Sequence, residues 1–372
     1  MLPFTQVDGS TLDWIGNKIF KVAKYPPGQR KSVKPLKSKK HSAQENPSSF
    51  VLRLLLSASP YYVSGSILAQ RLKMSRVGVW SRIAKLREAG LSIEASQNRG
   101  YRLAAEPDKF NQSLLEAWIH EEKTKCKIFV QNSIDSTNSE AEKLLANGEK
   151  GPFAVIANEQ KKGRGRLGRS WYSPQSGNIH LSMAFRPDVN LIQLRSFTLW
   201  QGICIAQLLR THTGNENISL KWPNDLVING KKLGGMLTEA SIDCERVRSM
   251  IFGIGLNVNS LSARYPKSIS NSASSLHDLA GRTFRVHEIT AKIIKVVLAA
   301  YKQCIHGLSE SELEAKWENM DALLEKKVEI RIGKETLTGK AVGIDANGAL
   351  KLKAKNGRIR LIHSGEVTVK KW

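Results

Sequence analysis

Apolar residues recur along this chain in two different periods, and the change from one to the other marks its divisions. From Phe50 to about Leu103 they fall at helical spacing among basic residues. Within SGSILAQRLKMSRVGVWSRIAKLREAG the spacing predicts a helix around Ile67 to Leu72, a short turn, and a second helix. Ser75 is placed to cap that second helix by accepting a hydrogen bond from a free amide of its first turn. Val79, Ile83 and Leu86 stand at i, i+4 and i+7 and are expected to pack inward, which turns Arg76, Arg82 and Lys85 outward. Gly90 ends the helix. LSIEASQNRGYRL then reads as two strands turning at Asn98-Arg99-Gly100. Helix, turn, helix and hairpin together predict a winged helix-turn-helix, with Arg99 and Arg102 placed to reach a duplex backbone.

Beyond residue 106 the period becomes mixed. Strand-like runs (FAVIANEQ, IHLSMAF, ISLKW, MIFGIGLNVN) are interleaved with helical ones (STNSEAEKLLANG, LRSFTLWQGICIAQLLRTHTG, VHEITAKIIKVVLAAYKQCIHGL), as in an α/β or α+β core. From Lys327 every run alternates. KVEIRI, ETLTGKAVGI, ALKLKA, RIRLIH and EVTVKK are divided at Asn347-Gly348, Asn356-Gly357 and Ser364-Gly365, the punctuation of a small β meander or barrel. The reading is therefore a multidomain α+β chain: a basic extension over 1–48, a winged helix-turn-helix over 49–105, a central α/β domain over 106–320 and a β domain over 321–372.

Charge sharpens this picture. With 57 Lys and Arg against 33 Asp and Glu, the formal net charge is +24, which favours a polyanionic partner such as DNA. The Lys-, Pro- and Ser-rich stretch after Tyr25 cannot bury a core and is expected to be disordered. Cys126, Cys204, Cys244 and Cys304 are widely spaced, which suggests neither a zinc site nor a disulfide framework and fits a reducing cytosol. No apolar run reaches membrane-spanning length, and the first residues lack the apolar stretch of a signal peptide. A cytoplasmic location without membrane association is expected.

The candidate chemistry starts at GRGRLGRS, residues 163 to 170. Gly163, Gly165 and Gly168 satisfy the dinucleotide fingerprint on paper, but WYSPQSGN follows with turn residues where that motif needs a helix, and no Gly-Lys-Ser/Thr closes a phosphate loop. The better reading is a mobile cationic flap, in which Arg164, Arg166 and Arg169 order over an anion. Upstream, Ser136, Thr137 and Asn138 open a helix, where hydroxyls, a carboxamide and free amides can address a polar ligand. Downstream, SLKWPNDLVINGKKLGGMLTEA reads as a strand, a turn at Pro223-Asn224-Asp225 and a second strand after Asn229-Gly230. Lys232 there stands beside the glycines Gly234 and Gly235.

In this order, Ser136-Thr137-Asn138, Gln160 with Gly163-Arg164-Gly165-Arg166, Trp171, Ser173-Pro174, Lys221 to Asp225, Lys232 to Gly235 and GIGLNVN resemble the signatures of biotin protein ligases. The winged segment before them and the β domain behind resemble the bifunctional bacterial form, ligase and biotin operon repressor in one chain. That resemblance implies a central domain of the biotin/lipoate ligase type, with a mixed sheet and helices, and an SH3-like barrel behind it. It implies ATP and Mg²⁺ as co-substrate and metal, biotin as substrate and no tightly bound prosthetic group.

By the same resemblance Lys232, Arg164 and Arg166 are catalytic. Ser136, Thr137, Asn138, Gln160, Gly163, Arg164, Lys232, Gly234 and Gly235 would hold biotin. Arg166, Arg169, Trp171, Asn224, Asp225 and Asn257 would hold the nucleotide, with Asp225 also facing Mg²⁺. Ser75, Arg76, Arg82, Lys85 and Arg99 would meet DNA. The implied partners are biotin carboxyl carrier protein, a subunit of acetyl-CoA carboxylase, operator DNA, and a second copy of the chain on adenylate binding. Three lysines depart from the family pattern: Lys161 and Lys162 where small or neutral residues are usual, and Lys370 near the place of a C-terminal arginine. A transcription factor that keeps the pocket as a sensor, a lipoate or octanoate ligase, and a ligase that binds no operator are the alternatives.

Overall fold

The computed structural model describes residues 46–175 and 177–369. The basic stretch ahead of residue 46 and Lys370 lie outside the described residues.

The winged segment begins two residues before its expected boundary, because Asn46 accepts a hydrogen bond from the Ser48 amide and Pro47 occupies the first turn of α1 (Pro47–Ala58). α2 (Gly65–Leu72) and α3 (Arg76–Glu88) follow, and Ser75 Oγ accepts from Gly78 N at 3.1 Å, as the sequence predicts. Gly90 leaves the helix at φ +88°, a conformation that only glycine adopts cheaply. The wing is β1 (Ser92–Ser96) paired antiparallel with β2 (Gly100–Ala105), and Val63 adds a short third rung opposite Tyr101. Val51, Leu52, Leu55, Val79, Ile83 and Leu86 close the core of this segment.

α4 (Gln112–Glu121) belongs to two cores. Leu114 and Ala117 pack with α1 in the winged segment, whereas Leu115 and Ile119 enter the central core. The cut at residue 106 therefore runs close to a shared helix.

The central sheet has the order β3-β4-β5-β10-β9-β8-β7, built from β3 (Lys127–Ile134), β4 (Phe153–Gln160), β5 (Ile179–Phe185), β7 (Ile218–Lys221), β8 (Asp225–Ile228), β9 (Lys231–Asp243) and β10 (Arg246–Leu256), with the two-residue β6 (Val189–Asn190) on β10. β3 and β4 are parallel and the remaining pairs antiparallel. α5 (Thr137–Ala146) covers one face through Ala141 and Leu145 against Phe153, Val155, Ala184 and Ile251. The other face lies in the large core with α6 (Phe197–Thr213) and α9 (Val286–His306). β5 is buried on both sides, which is why IHLSMAF shows no clean alternation.

Two short helices, α7 (Lys267–Ser270) and α8 (Leu276–Ala280), edge the domain, and α10 (Glu310–Glu318) leads to the C-terminal strands. These are β11 (Lys327–Ile332), β12 (Glu335–Ile344), β13 (Leu350–Lys353), β14 (Ile359–Ile362) and β15 (Glu366–Val369), an antiparallel sheet in the order β14-β13-β12-β11-β15. It is tied to the central domain: Trp222 Nε1 donates to Gly348 O at 3.0 Å, and Val328, Ile330 and Leu350 share the central core.

Candidate functional site

The site face of the sheet is hollow where three of its residues, Gly235, Gly253 and Gly255, are glycines. Antiparallel register sets Gly255 opposite Gly235 and His180, and Gly253 opposite Leu237 and Ser182, all on the α5 side. A Cβ at Gly253 would come within 2.3 Å of Asn138 Oδ1, and one at Gly255 within 2.4 Å of the Trp171 ring. The alternating G-I-G-L of β10 thus keeps a floor clear, and a cleft of about 760 Å³ opens over it.

A hydrogen-bond network spans that floor. Gln160 Oε1 accepts from Thr137 N at 2.8 Å and Thr137 Oγ1 at 3.0 Å, and Gln160 Nε2 donates to Ser173 Oγ at 3.0 Å. Gln160, at the end of β4, therefore caps α5 from outside the helix; Ser136 sits at the N-cap, buried, with no capping bond from its side chain. Ser182 Oγ donates to Asn138 Oδ1, and Asn138 Nδ2 donates to Glu239 Oε2 at 2.6 Å.

Cations converge on the cleft from three directions. The flap leaves β4 and makes a 3-10 turn at Arg166–Gly168 before an isolated bridge between Arg164 and Ser170, so no helix exits and the dinucleotide reading fails, as expected. Arg164 Nη2 bonds Glu239 Oε2 at 2.9 Å. Arg166 reaches toward Asn224 Oδ1 at 3.4 Å, and its guanidinium is held below its ordinary pKa by burial, against Asp225 and Glu366. Arg169 pairs with Glu366 of β15 at 2.5 Å. From β9, Lys232 Nζ lies 2.7 Å from Asp225 Oδ1 and 5.4 Å from the centre of the Trp171 ring. From β7, burial depresses Lys221, with Asp225 acting the other way. Each of these charges costs less where an anion sits beside it.

Most of the expected residues meet at this cleft: Ser136, Thr137, Asn138, Gln160, Arg164, Arg166, Arg169, Trp171, Asn224, Asp225, Lys232, Gly235 and Asn257 all line it. Gly163 and Gly234 do not. They serve close packing, since a Cβ on Gly163 would lie 2.6 Å from Trp171 O and one on Gly234 2.9 Å from Gly255 O. The Asn257 carboxamide is already committed, donating to Ser274 O at 2.9 Å. Lys162 turns aside to Asp135 at 3.1 Å, whereas Lys161 stays at the rim.

Sequence reasoning missed Glu239 and the arrival of Glu366 from the C-terminal sheet, and it quoted Gly253 and Gly255 within GIGLNVN without giving either a role. The GIGL alternation was the available signal for the two glycines; nothing local announces either acid. In the winged segment Ser75, Arg76, Lys85 and Arg99 are exposed, but Arg82 is half-buried and inclines to Ser48 Oγ at 3.4 Å on α1, because its position lies beside Ile83 on the packing side of α3. Arg102 is held by Glu94 at 2.8 Å and, with Arg99, lies over the Tyr62 ring.

Residues 130–259 match the biotin/lipoate A/B protein ligase family, residues 48–102 an HTH domain, and residues 323–370 the biotin protein ligase C terminal domain. The chain is 32% identical over 318 residues to the bifunctional ligase/repressor BirA of Bacillus spizizenii, covering 85% of this chain and 97% of that protein. It is 30% identical over 321 residues to the BirA of Escherichia coli, covering 85% and 96% respectively. Among solved structures it is similar to the biotin protein ligase from Aquifex aeolicus in complex with biotin and ATP, with TM-score 0.55 and 32% identity over 66% of this chain and 99% of that one. With a glycine-floored, cation-ringed cleft set behind a winged helix-turn-helix, this chain belongs to the family of biotin protein ligases, in the form of the bifunctional ligase/repressors.

Proposed function

We propose that this protein joins biotin to ATP as biotinyl-5′-adenylate and passes the biotinyl group to a lysine of biotin carboxyl carrier protein in the cytoplasm. The observation that carries this reading is the pairing of three flap and floor cations with carboxylates that a substrate anion can displace: Lys232 with Asp225, Arg164 with Glu239 and Arg169 with Glu366. Biotin carboxylate and the α-phosphate are both anions, so the reaction needs their charge neutralised and the two held in line. The carboxylate oxygen attacks the α-phosphorus, the bond to the bridging oxygen of pyrophosphate breaks, and pyrophosphate leaves. Lys232, beside the glycine floor, is placed to neutralise the attacking carboxylate and the phosphate together. In the second step the neutral lysine amine attacks the acyl carbon, AMP leaves with the bonding pair, and the amine loses its proton.

Ser136 and the Gln160 network address the ureido ring of biotin, Arg166 and Asn224 the nucleotide. The flap, carried on Gly165 and Gly168, shields the mixed anhydride from water and reopens for the carrier. Among the described residues no three His, Cys, Asp or Glu side chains cluster to hold a metal. Mg²⁺ brought in with the phosphates would help to neutralise them, and Asp225 in the cleft would be a carboxylate to meet it.

The winged segment favours a second activity, biotin-responsive repression, in which an adenylate-ordered dimer sets two recognition helices on one operator. A gel shift on the chain's own biotin-synthesis promoter, with and without biotin and ATP, tests this. For the ligase, the test is transfer of labelled biotin to a carrier domain in competition with lipoate and octanoate. Label on the carrier lysine that survives both competitors supports the reading, and preferential use of either fatty acid overturns it.

A further inference from the structure

The outward face of α3 carries large apolar side chains where arginines were expected. Val77 is 74% exposed and Trp80 62%, while Val79, Ile83 and Leu86 on the opposite side are buried. Both exposed residues lie in the first two turns after the Ser75 cap, the part of such a helix that enters deepest into the major groove. The expected base readers sit on the flanks instead: Arg76 turns to Ser66 Oγ at 2.7 Å, and Arg82 leans to α1. What faces outward at this end is Val77, Trp80 and Ser81.

The surroundings narrow the occupant. Arg71 and Lys73 at the end of α2, and Arg76 and Lys85 on α3, are all exposed. An apolar protein surface pressed against Val77 and Trp80 would have to desolvate those cations without partners. A DNA duplex neutralises them with phosphates and offers, on the floor of its major groove, the one apolar group a base edge carries, the 5-methyl of thymine.

We propose that Val77 and Trp80 read thymine through its methyl group, while the flanking arginines hold the phosphates. This rests on the DNA-binding reading of the winged segment. The test uses the full chain with biotin and ATP, a short random-sequence duplex library, and resynthesis of the enriched site with deoxyuridine replacing thymidine at one position at a time. That replacement removes the methyl alone. The expected result is a loss of about fourfold per contacted methyl at one or two positions. The double variant Val77→Ala/Trp80→Ala should bind the thymidine site more weakly and no longer distinguish it from the deoxyuridine site. Equal binding by the parent at every position overturns the proposal and leaves DNA binding intact, as does a folded variant that still discriminates. Failure to enrich any duplex overturns the DNA-binding reading itself. If the variant then sediments as a smaller species than the parent, the face joins two copies of the chain.

Discussion

Lys232 Nζ lies 2.7 Å from Asp225 Oδ1, the two side chains rising into the cleft from the neighbouring strands β9 and β8. The cation is thus held at the floor by a carboxylate that a more strongly charged substrate can displace. Lys232→Ala should lower adenylate formation about 100- to 1000-fold, the usual cost of losing one group aimed at developing charge. Its side chain is 39% exposed, so the thermal unfolding midpoint should stay near the parent's. Near-normal turnover in single-turnover assays would remove Lys232 from the reaction.

Glu239 joins the flap to the floor, accepting from both Arg164 and Asn138. Arg164 and Glu239 are each 39% exposed, so the pair is worth at most about 1 kcal/mol. Glu239→Ala should let biotinyl-adenylate escape up to about fivefold faster, seen as labelling of bystander lysines. Arg166→Ala, which removes a more deeply placed guanidinium, should leak more. An intermediate retained as tightly as in the parent by both variants contradicts the lid role of the flap.

Two buried histidines set an acid limit on stability. Burial pushes His180 down to about 4 and His287 down to about 3, from an ordinary value of 6.5. Below pH 6.5 the unfolded chain takes up protons that the folded one refuses, so stability falls with pH. Between pH 6.5 and 5.5 the loss should be about 2 kcal/mol for the two together. Glu106 and Asp321, whose carboxyls burial raises, act in the opposite direction as pH falls through their raised values. Urea unfolding at the two pH values measures it; His287→Gln should halve the difference, and a flat response contradicts the assignment.

Removing residues 1–105 should spare adenylation and eliminate DNA binding. It should also destabilise the remainder, because Leu114 and Ala117 of α4 lose the α1 surface that buries them completely. Uncovering Leu114 alone costs about 1.5 to 3 kcal/mol. Calorimetry of the truncated chain checks this, and an unchanged midpoint would mean that α4 is indifferent to the winged segment.

Much of this was legible in the order of residues. The cap at Ser75, the inward trio Val79, Ile83 and Leu86, and the strand ends at Asn347-Gly348 follow from local spacing and turn chemistry, and the folded chain keeps them. The cleft was legible as a set of motifs but not as a geometry. Gly253 and Gly255 act by what their absent side chains leave room for, which depends on Asn138 and Trp171 far away in sequence. Glu239 and Glu366 reach Arg164 and Arg169 across 75 and 197 positions, distances over which no periodicity carries information. Arg82 was misplaced because a wheel that marks the buried trio says nothing of how wide the contact with α1 is. α4 escaped notice for a similar reason, since its apolar residues serve two cores and so form no single stripe.

The ligase reading is tested most directly by incubating the full chain with biotin, Mg²⁺ and ATP labelled at the α-phosphate, then adding a biotin carrier domain. The result expected is labelled biotinyl-5′-adenylate held by the protein, followed by release of labelled AMP in step with biotin appearing on one carrier lysine. Absence of the adenylate in a folded sample, or an adenylate that forms from lipoate or octanoate in place of biotin, would contradict it.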